Sequence, residues 1–182
     1  MSHAQRVLEF DLIRQRLAGE CETALAAERA AEMEPEFDEE EVWRLQSLTK
    51  EAMVLLAGLS IPSLGAVRDQ RQAADRAKKG GSIDGATIFS IGAGLQAMRE
   101  TRAVVWGRRD VCANLWRIAE GLPELKALED KILFSVEVDG EVLDSASPEL
   151  ARLRKTKASA AQRIADRIQS YTTGKNRDLL SD

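Results

Sequence analysis

Histidine and cysteine are almost missing from this chain: it holds one histidine, His3, and two cysteines, Cys21 and Cys112, far apart in sequence. A structural zinc site needs four nitrogen or sulfur ligands at short paired spacings, so that chemistry is excluded, and the default setting is a reducing cytoplasm. Aromatic residues make up only 4% of the chain, and few strands are expected from so little aromatic content. No apolar run approaches the ~18 residues that cross a bilayer. Nor does any amino-terminal stretch join a basic start to an apolar run and a small-residue cleavage site. There is no Gly-x-Ser-x-Gly elbow, since Ser82 in Gly80-Gly81-Ser82-Ile83-Asp84 fails at the last position, and no Gly-x-x-x-x-Gly-Lys-Ser/Thr loop. The formal charge of −4 argues against a generic nucleic-acid coat protein while allowing a local basic surface.

What is present is the material of helices. The 182 residues are 44% hydrophobic, enough for a packed core, and Ala, Leu, Glu and Arg recur throughout. The expected fold is all-α, with about seven to eight helices and at most one small β-hairpin near 136–143. Phe10, Ile13 and Leu17 mark a first stripe, and an Ala-rich stretch over 21–33 marks a second helix after a bend near Gly19. The acidic run at 32–41 starts a third helix: Asp38 caps, Glu41 falls at the third position, and Phe37 is placed to staple against Val42. That helix continues through Leu45, Leu48, Ala52, Leu56 and Leu59. A connector over 58–65 precedes a helix at 67–79, which Gly80-Gly81 ends, with Lys78 and Lys79 suited to its negative end. Apolar stripes at Ile88, Ile91, Leu95, Met98 and Val105, then Val111 to Leu122, then Leu125, Leu128 and Ile132 read as further helices. Asp139-Gly140 between short alternating stretches is a hairpin turn signal.

Charge divides the chain into two regions, 1–147 and 148–182. The second holds eight Lys/Arg against four Asp/Glu, a net of +4 that leaves −8 on the first. Ser147 is placed to cap and Pro148 to occupy the first position of a helix, so a long basic helix starts sharply there. Leu150, Leu153, Ala160, Ile164, Ile168 and Tyr171 form its narrow apolar stripe, suited to one or two partner helices, with fraying expected near Gly174. Arg152, Arg154, Lys155, Lys157, Arg163, Arg167, Lys175 and Arg177 are the candidate phosphate contacts. Solvation of one helix side is the competing explanation. Trp43, Trp106 and Trp116 each adjoin an apolar stripe and read as core or packing anchors.

One enzymatic motif asks to be weighed. Ile91-Gly92-Ala93-Gly94-Leu95-Gln96-Ala97 fits the Gly-x-Gly-x-x-Ala form of a dinucleotide-binding turn, with Asp110 downstream. Helical spacing runs straight through the glycines, however, and no alternation of strands and helices surrounds them. Close helix packing explains Gly92 and Gly94 better. No local arrangement identifies a catalytic pair, a metal site or a cofactor site within this chain.

Three ordered segments carry a family resemblance: Leu8-Glu9-Phe10-Asp11-Leu12-Ile13; Leu64-Gly65-Ala66-Val67-Arg68-Asp69 with Arg76-Ala77-Lys78-Lys79-Gly80-Gly81; and the run from Gly140 through Ser147-Pro148-Glu149-Leu150. Together they resemble the amino-terminal core and lever of the Smr-bearing bacterial MutS paralogues, the MutS-two branch. The resemblance implies a helical core at 1–147 and a lever helix at 148–182 leading towards a clamp. It further implies a cytoplasmic bacterial parent with an ATPase domain using ATP and Mg, a clamp and a nuclease domain, none with counterparts here. Branched DNA or the collided ribosome, the rest of the parent and a second copy in a homodimer are the implied partners. A lever lacking its returning helix is expected to self-associate. A general helical interaction or dimerisation domain is the alternative, and a dinucleotide-dependent enzyme a more distant one.

Overall fold

The computed structural model describes residues 7–58 and 61–173. These residues form eight α-helices and two 3-10 turns, and among them no strand. His3, Leu59, Gly174, Lys175 and Arg177 lie outside the described residues.

Helices α1 (Phe10–Gly19) and α2 (Ala24–Ala31) pack as a hairpin. Thr23 caps α2, its hydroxyl accepting from the Ala26 amide at 3.1 Å. Glu22, in the connection, reaches across to the first 3-10 turn (Leu64–Ala66). Its carboxylate accepts from the Leu64 amide at 3.0 Å and from the Ser63 hydroxyl. Those bonds, the Ser63 one foremost, hold Glu22 below the usual carboxylate range.

Helix α3 (Glu39–Gly58) starts where the acidic run predicts, with the Glu41 amide donating to Asp38 Oδ1 at 2.9 Å. The rest of the expected start differs. Glu41 pairs with Arg44, and Glu36 accepts from the Asp38 amide at 2.9 Å, so the reciprocal bond of a capping box is already taken. Phe37 is 89% exposed and staples nothing. Helix α4 (Arg71–Lys78) is shorter than the 67–79 expectation, because the Asp69 side chain accepts from the Arg71 amide and holds the preceding residues in a turn. Arg71 keeps Asp69 ionised down to about 2. Gly80, at φ 74°, then ends α4, and the Gly81 amide returns to the Arg76 carbonyl at 2.9 Å.

The organising element is α5 (Gly85–Gly107), capped by Asp84, whose carboxylate accepts from the Thr87 amide and hydroxyl at 2.8 Å each. It packs against the first 3-10 turn, α6 (Ala113–Glu120) and α7 (Lys126–Ser135). Gly92 and Gly94 are buried inside this helix. A Cβ on Gly92 would stand 2.6 Å from Ile132 Cγ2 of α7, and one on Gly94 would lie 3.4 Å from the Ala66 carbonyl oxygen. The glycines are contact points between helices, not a cofactor turn.

Leu55 of α3, Val105 of α5, Cys112 just before α6 and Ala119 of α6 form a core cluster, joined by Ile61, Leu115 and Trp116. Glu51 of α3 fastens the start of α6, its carboxylate accepting from the Leu115 amide and Asn114 Nδ2 at 2.8 Å each. Cys112 is fully buried, and desolvation raises its thiol pKa. In the α5/α7 contact Glu129 is only 2% exposed; Arg99 donates to both its oxygens at 2.8 and 3.0 Å, and Lys126 adds a bond at 3.2 Å. Trp43 and Trp106 are not core residues: their exposures are 63% and 49%. Trp106 nevertheless packs on Trp116 of α6, with ring centroids 4.8 Å apart.

The expected hairpin is reduced to a single antiparallel bridge, Val136 to Val142, around the Asp139-Gly140 turn. Gly140 takes φ 88°, and a Cβ there would fall 2.6 Å from the Ala86 amide nitrogen. This tip is pressed against the start of α5. The second 3-10 turn (Asp144–Ala146) and helix α8 (Pro148–Thr173) follow.

Candidate nucleic-acid interface

Helix α8 begins where Ser147-Pro148 predicts. Ser147 is extended, at φ −160° and ψ 130°, and its hydroxyl accepts from the Leu150 amide at 3.4 Å. The packing of α8 on the body is through the second 3-10 turn at its base. From residue 161 to 171 every side chain is exposed. The apolar stripe is therefore largely open: Leu150 and Ala160 are partly buried, but Leu153, Ile164 and Ile168 are all more than half exposed and Tyr171 nearly so.

The basic residues do not act as one face. At 3.6 residues per turn, Lys155, Arg152, Arg163 and Arg167 span an arc of about 120° beside and opposite the apolar stripe. Lys157 falls inside the stripe itself, between the directions of Leu150 and Ile164. Arg154 lies about 100° from Lys155 on the other flank. Arg154 is also held locally. It donates to Asp144 at 2.6 Å and approaches Glu141 at 3.8 Å, tying the helix to the turn that launches it. Arg152 is paired with Glu149 one turn back, at 2.7 Å, and each partner strengthens the charge of the other. Lys155, Arg163 and Arg167 are left as an open basic band with Lys157 on its own line, while Lys175 and Arg177 lie outside the described residues.

Sequence reasoning missed the acids that bind Arg154, because Glu141 and Asp144 precede the helix and only the turn brings them to it. It also missed the buried Arg99–Glu129 pair, whose partners are 30 residues apart. No group of three or more His, Cys, Asp or Glu is placed to hold a metal ion among the described residues. No described helix is long and apolar enough to cross a membrane.

A helical body followed by one long, basic, amphipathic helix defines an all-α module. No family model matches the chain. It is 32% identical over 171 residues, 92% of its length, to a protein of Thermomicrobium roseum named Endonuclease MutS2, and 33% identical over 168 residues to the Geobacillus thermodenitrificans protein of that name. The Endonuclease MutS2 of Listeria monocytogenes is 26% identical over 182 residues. The chain is thus related to MutS2 proteins over most of its length. It spans about a fifth of the length of these curated relatives.

Proposed function

We propose that this chain is the non-catalytic core and lever of a MutS2-like protein, in which α8 couples the helical body to a nucleic-acid clamp carried elsewhere in the parent. The observation that carries the reading is the projection of α8 from the body, fixed at its base and largely open along its apolar stripe. A rigid helix anchored at one end transmits rotation by packing alone and needs no reactive side chain. Anchoring comes from the Ser147 cap and the Arg154 pairs with Asp144 and Glu141. The parent supplies ATP hydrolysis with Mg and the endonuclease activity that its relatives' name states, and it acts on branched DNA or collided ribosomes in a reducing bacterial cytoplasm. Both described thiols are free, in keeping with that compartment.

Direct phosphate contact by α8 is tested by binding a branched DNA junction and a plain duplex across a salt series. A variant with Lys155, Lys157, Arg163 and Arg167 changed to Gln keeps the Arg154 anchor. Each lost phosphate contact lowers the log–log salt slope by about 0.9. An unchanged slope assigns the parent's nucleic-acid contacts to its other domains and leaves α8 purely mechanical. The largely open stripe also favours a second reading, pairing of two copies through α8. Sedimentation over a wide concentration range tests it, and a constant monomer mass rules it out.

A further inference from the structure

Helices α1 and α2 pack on each other, and among the described residues neither makes an extensive contact with another helix. The outer side of α1 is open accordingly, with Leu12, Ile13 and Leu17 all exposed. The hairpin is joined to the body mainly at one place, the connection between its two helices. There Glu22 accepts from the Ser63 hydroxyl, 41 residues away, and from the Leu64 amide at 3.0 Å. A second link, Arg71 to Glu28 at 3.9 Å, is long, lies in solvent and is shared with the closer Asp69.

The receiving turn is shaped for this carboxylate. Ser63 Oγ accepts from the Gly65 amide at 3.1 Å while it donates to Glu22, so one hydroxyl both caps the turn and binds the hairpin. A Cβ at position 65 would crowd both partners, at 3.2 Å from Ser63 Oγ and 3.3 Å from Glu22 Oε1. The turn itself packs on α5, so the contact leads from the hairpin to the organising helix of the body. At the other end of the hairpin, residues 33–38 carry no helix, and Phe37 among them stands in solvent. Arg14 of α1 donates to the Met33 carbonyl at 3.4 Å, which keeps the start of that segment with the hairpin. A hairpin held by one carboxylate at its tip, and by a helix-free segment at its exit, has a latch and a hinge.

We propose that the α1–α2 hairpin is a hinged arm that Glu22 latches to the first 3-10 turn, and that it turns as one piece about residues 35–38 when the latch opens. Glu22 is a positioning residue: its charge-assisted bonds fix where the arm stands relative to α5. The carboxylate is exposed, so water competes for its bonds and the latch opens readily, unlike the buried Arg99–Glu129 pair between α5 and α7. The latch lies apart from α8 and does not rest on the reading of α8 as a lever.

The distance between two spin labels on the full chain tests the latch, one on Arg29→Cys in α2 and one on Lys131→Cys in α7, both exposed positions, in a Cys21→Ser background. Serine keeps the donor that Cys21 offers to the Leu17 carbonyl, and Cys112 is fully buried and takes no label. One narrow distance distribution is expected for this reference chain. Glu22→Ala should enlarge the population at other distances by about three- to tenfold, and Gly65→Ala should act in the same direction. Glu22→Gln, which keeps one acceptor oxygen, should fall between. Helical circular dichroism stays unchanged in Glu22→Ala, because the arm turns without melting. A distribution unchanged in both alanine variants, one already broad in the reference chain, or loss of helix signal in Glu22→Ala overturns the proposal.

Discussion

Two glycines one residue apart in α5 are expected to respond with opposite sign to the same substitution. Alanine is favoured over glycine inside a helix by about 1 kcal/mol, so Gly92→Ala and Gly94→Ala start from the same gain. At Gly94 the new methyl would lie 3.4 Å from the Ala66 carbonyl oxygen and 3.7 Å from the Val67 Cα, ordinary contact distances. The gain survives there, and stability should rise by about 0.5–1 kcal/mol. At Gly92 the methyl would stand 2.6 Å from Ile132 Cγ2 and 3.1 Å from Leu133 Cδ2. Carbon atoms pack best at about 3.5–4.0 Å, so roughly 1 Å of separation must be found. Ile132 is buried and β-branched, and cannot swing its Cγ2 aside without leaving its rotamer. Overpacking of this kind costs about 1–3 kcal/mol, which exceeds the propensity gain over most of that range. In a chain of this size 1 kcal/mol moves the melting temperature by about 2–4 °C. Thermal melts followed by circular dichroism should therefore show Gly92→Ala below the unsubstituted chain and Gly94→Ala above it. Ile132→Leu removes the offending Cγ2, so the double variant Gly92→Ala/Ile132→Leu should recover more than additivity predicts, by about 0.5–3 kcal/mol. Equal shifts at both glycines, or strict additivity with Ile132→Leu, would refute close helix packing as their role.

Three other perturbations test the framework. Glu129 is held below the ordinary carboxylate range chiefly by Arg99, with Lys126 adding to the effect and burial opposing it. Its contribution to stability is present above the unfolded value of about 4.3 and lost as pH falls through the lower folded value, so melts of Glu129→Gln should show a flatter acid limb than the unsubstituted chain. Glu51→Ala removes the acceptor for the first amides of α6 and should cost about 0.5–2 kcal/mol in denaturant unfolding, the range of a lost helix cap; an unchanged midpoint contradicts that role. Arg154→Ala should increase hydrogen exchange in the first turns of α8 while leaving the salt slope of DNA binding unaltered, because its guanidinium is engaged by Asp144 and Glu141. A lowered slope in that variant would restore Arg154 to the phosphate-binding set.

Signals local in sequence are legible in this chain. Ser147-Pro148 locates the start of α8 because a cap and a first-turn proline act within a few residues. The same holds for Asp38 at the start of α3 and for Gly80 at the end of α4. Helical spacing running through Gly92 and Gly94 assigns them to packing, and α7 is what Gly92 packs against. Legibility ends where one local partner displaces another: Glu36 takes the Asp38 amide, and Phe37 is left in solvent. It ends again at Trp43, 63% exposed, since adjoining an apolar stripe does not tell which flank of the helix a ring leaves by.

The sequence by itself determined that this is a helical protein, where several of its helices begin and end, and that its basic charge gathers in one terminal helix. Periodicity and capping act over one to four residues, so they are written in the chain order itself. Only the tertiary structure decided that Arg154 is an anchor, that Arg99 and Glu129 share a buried site, and that Glu22 reaches the turn at Ser63 and Leu64. Those groups meet through packing of α5, α7 and the two 3-10 turns, and contacts between distant segments depend on how whole helices cross, which no local spacing encodes.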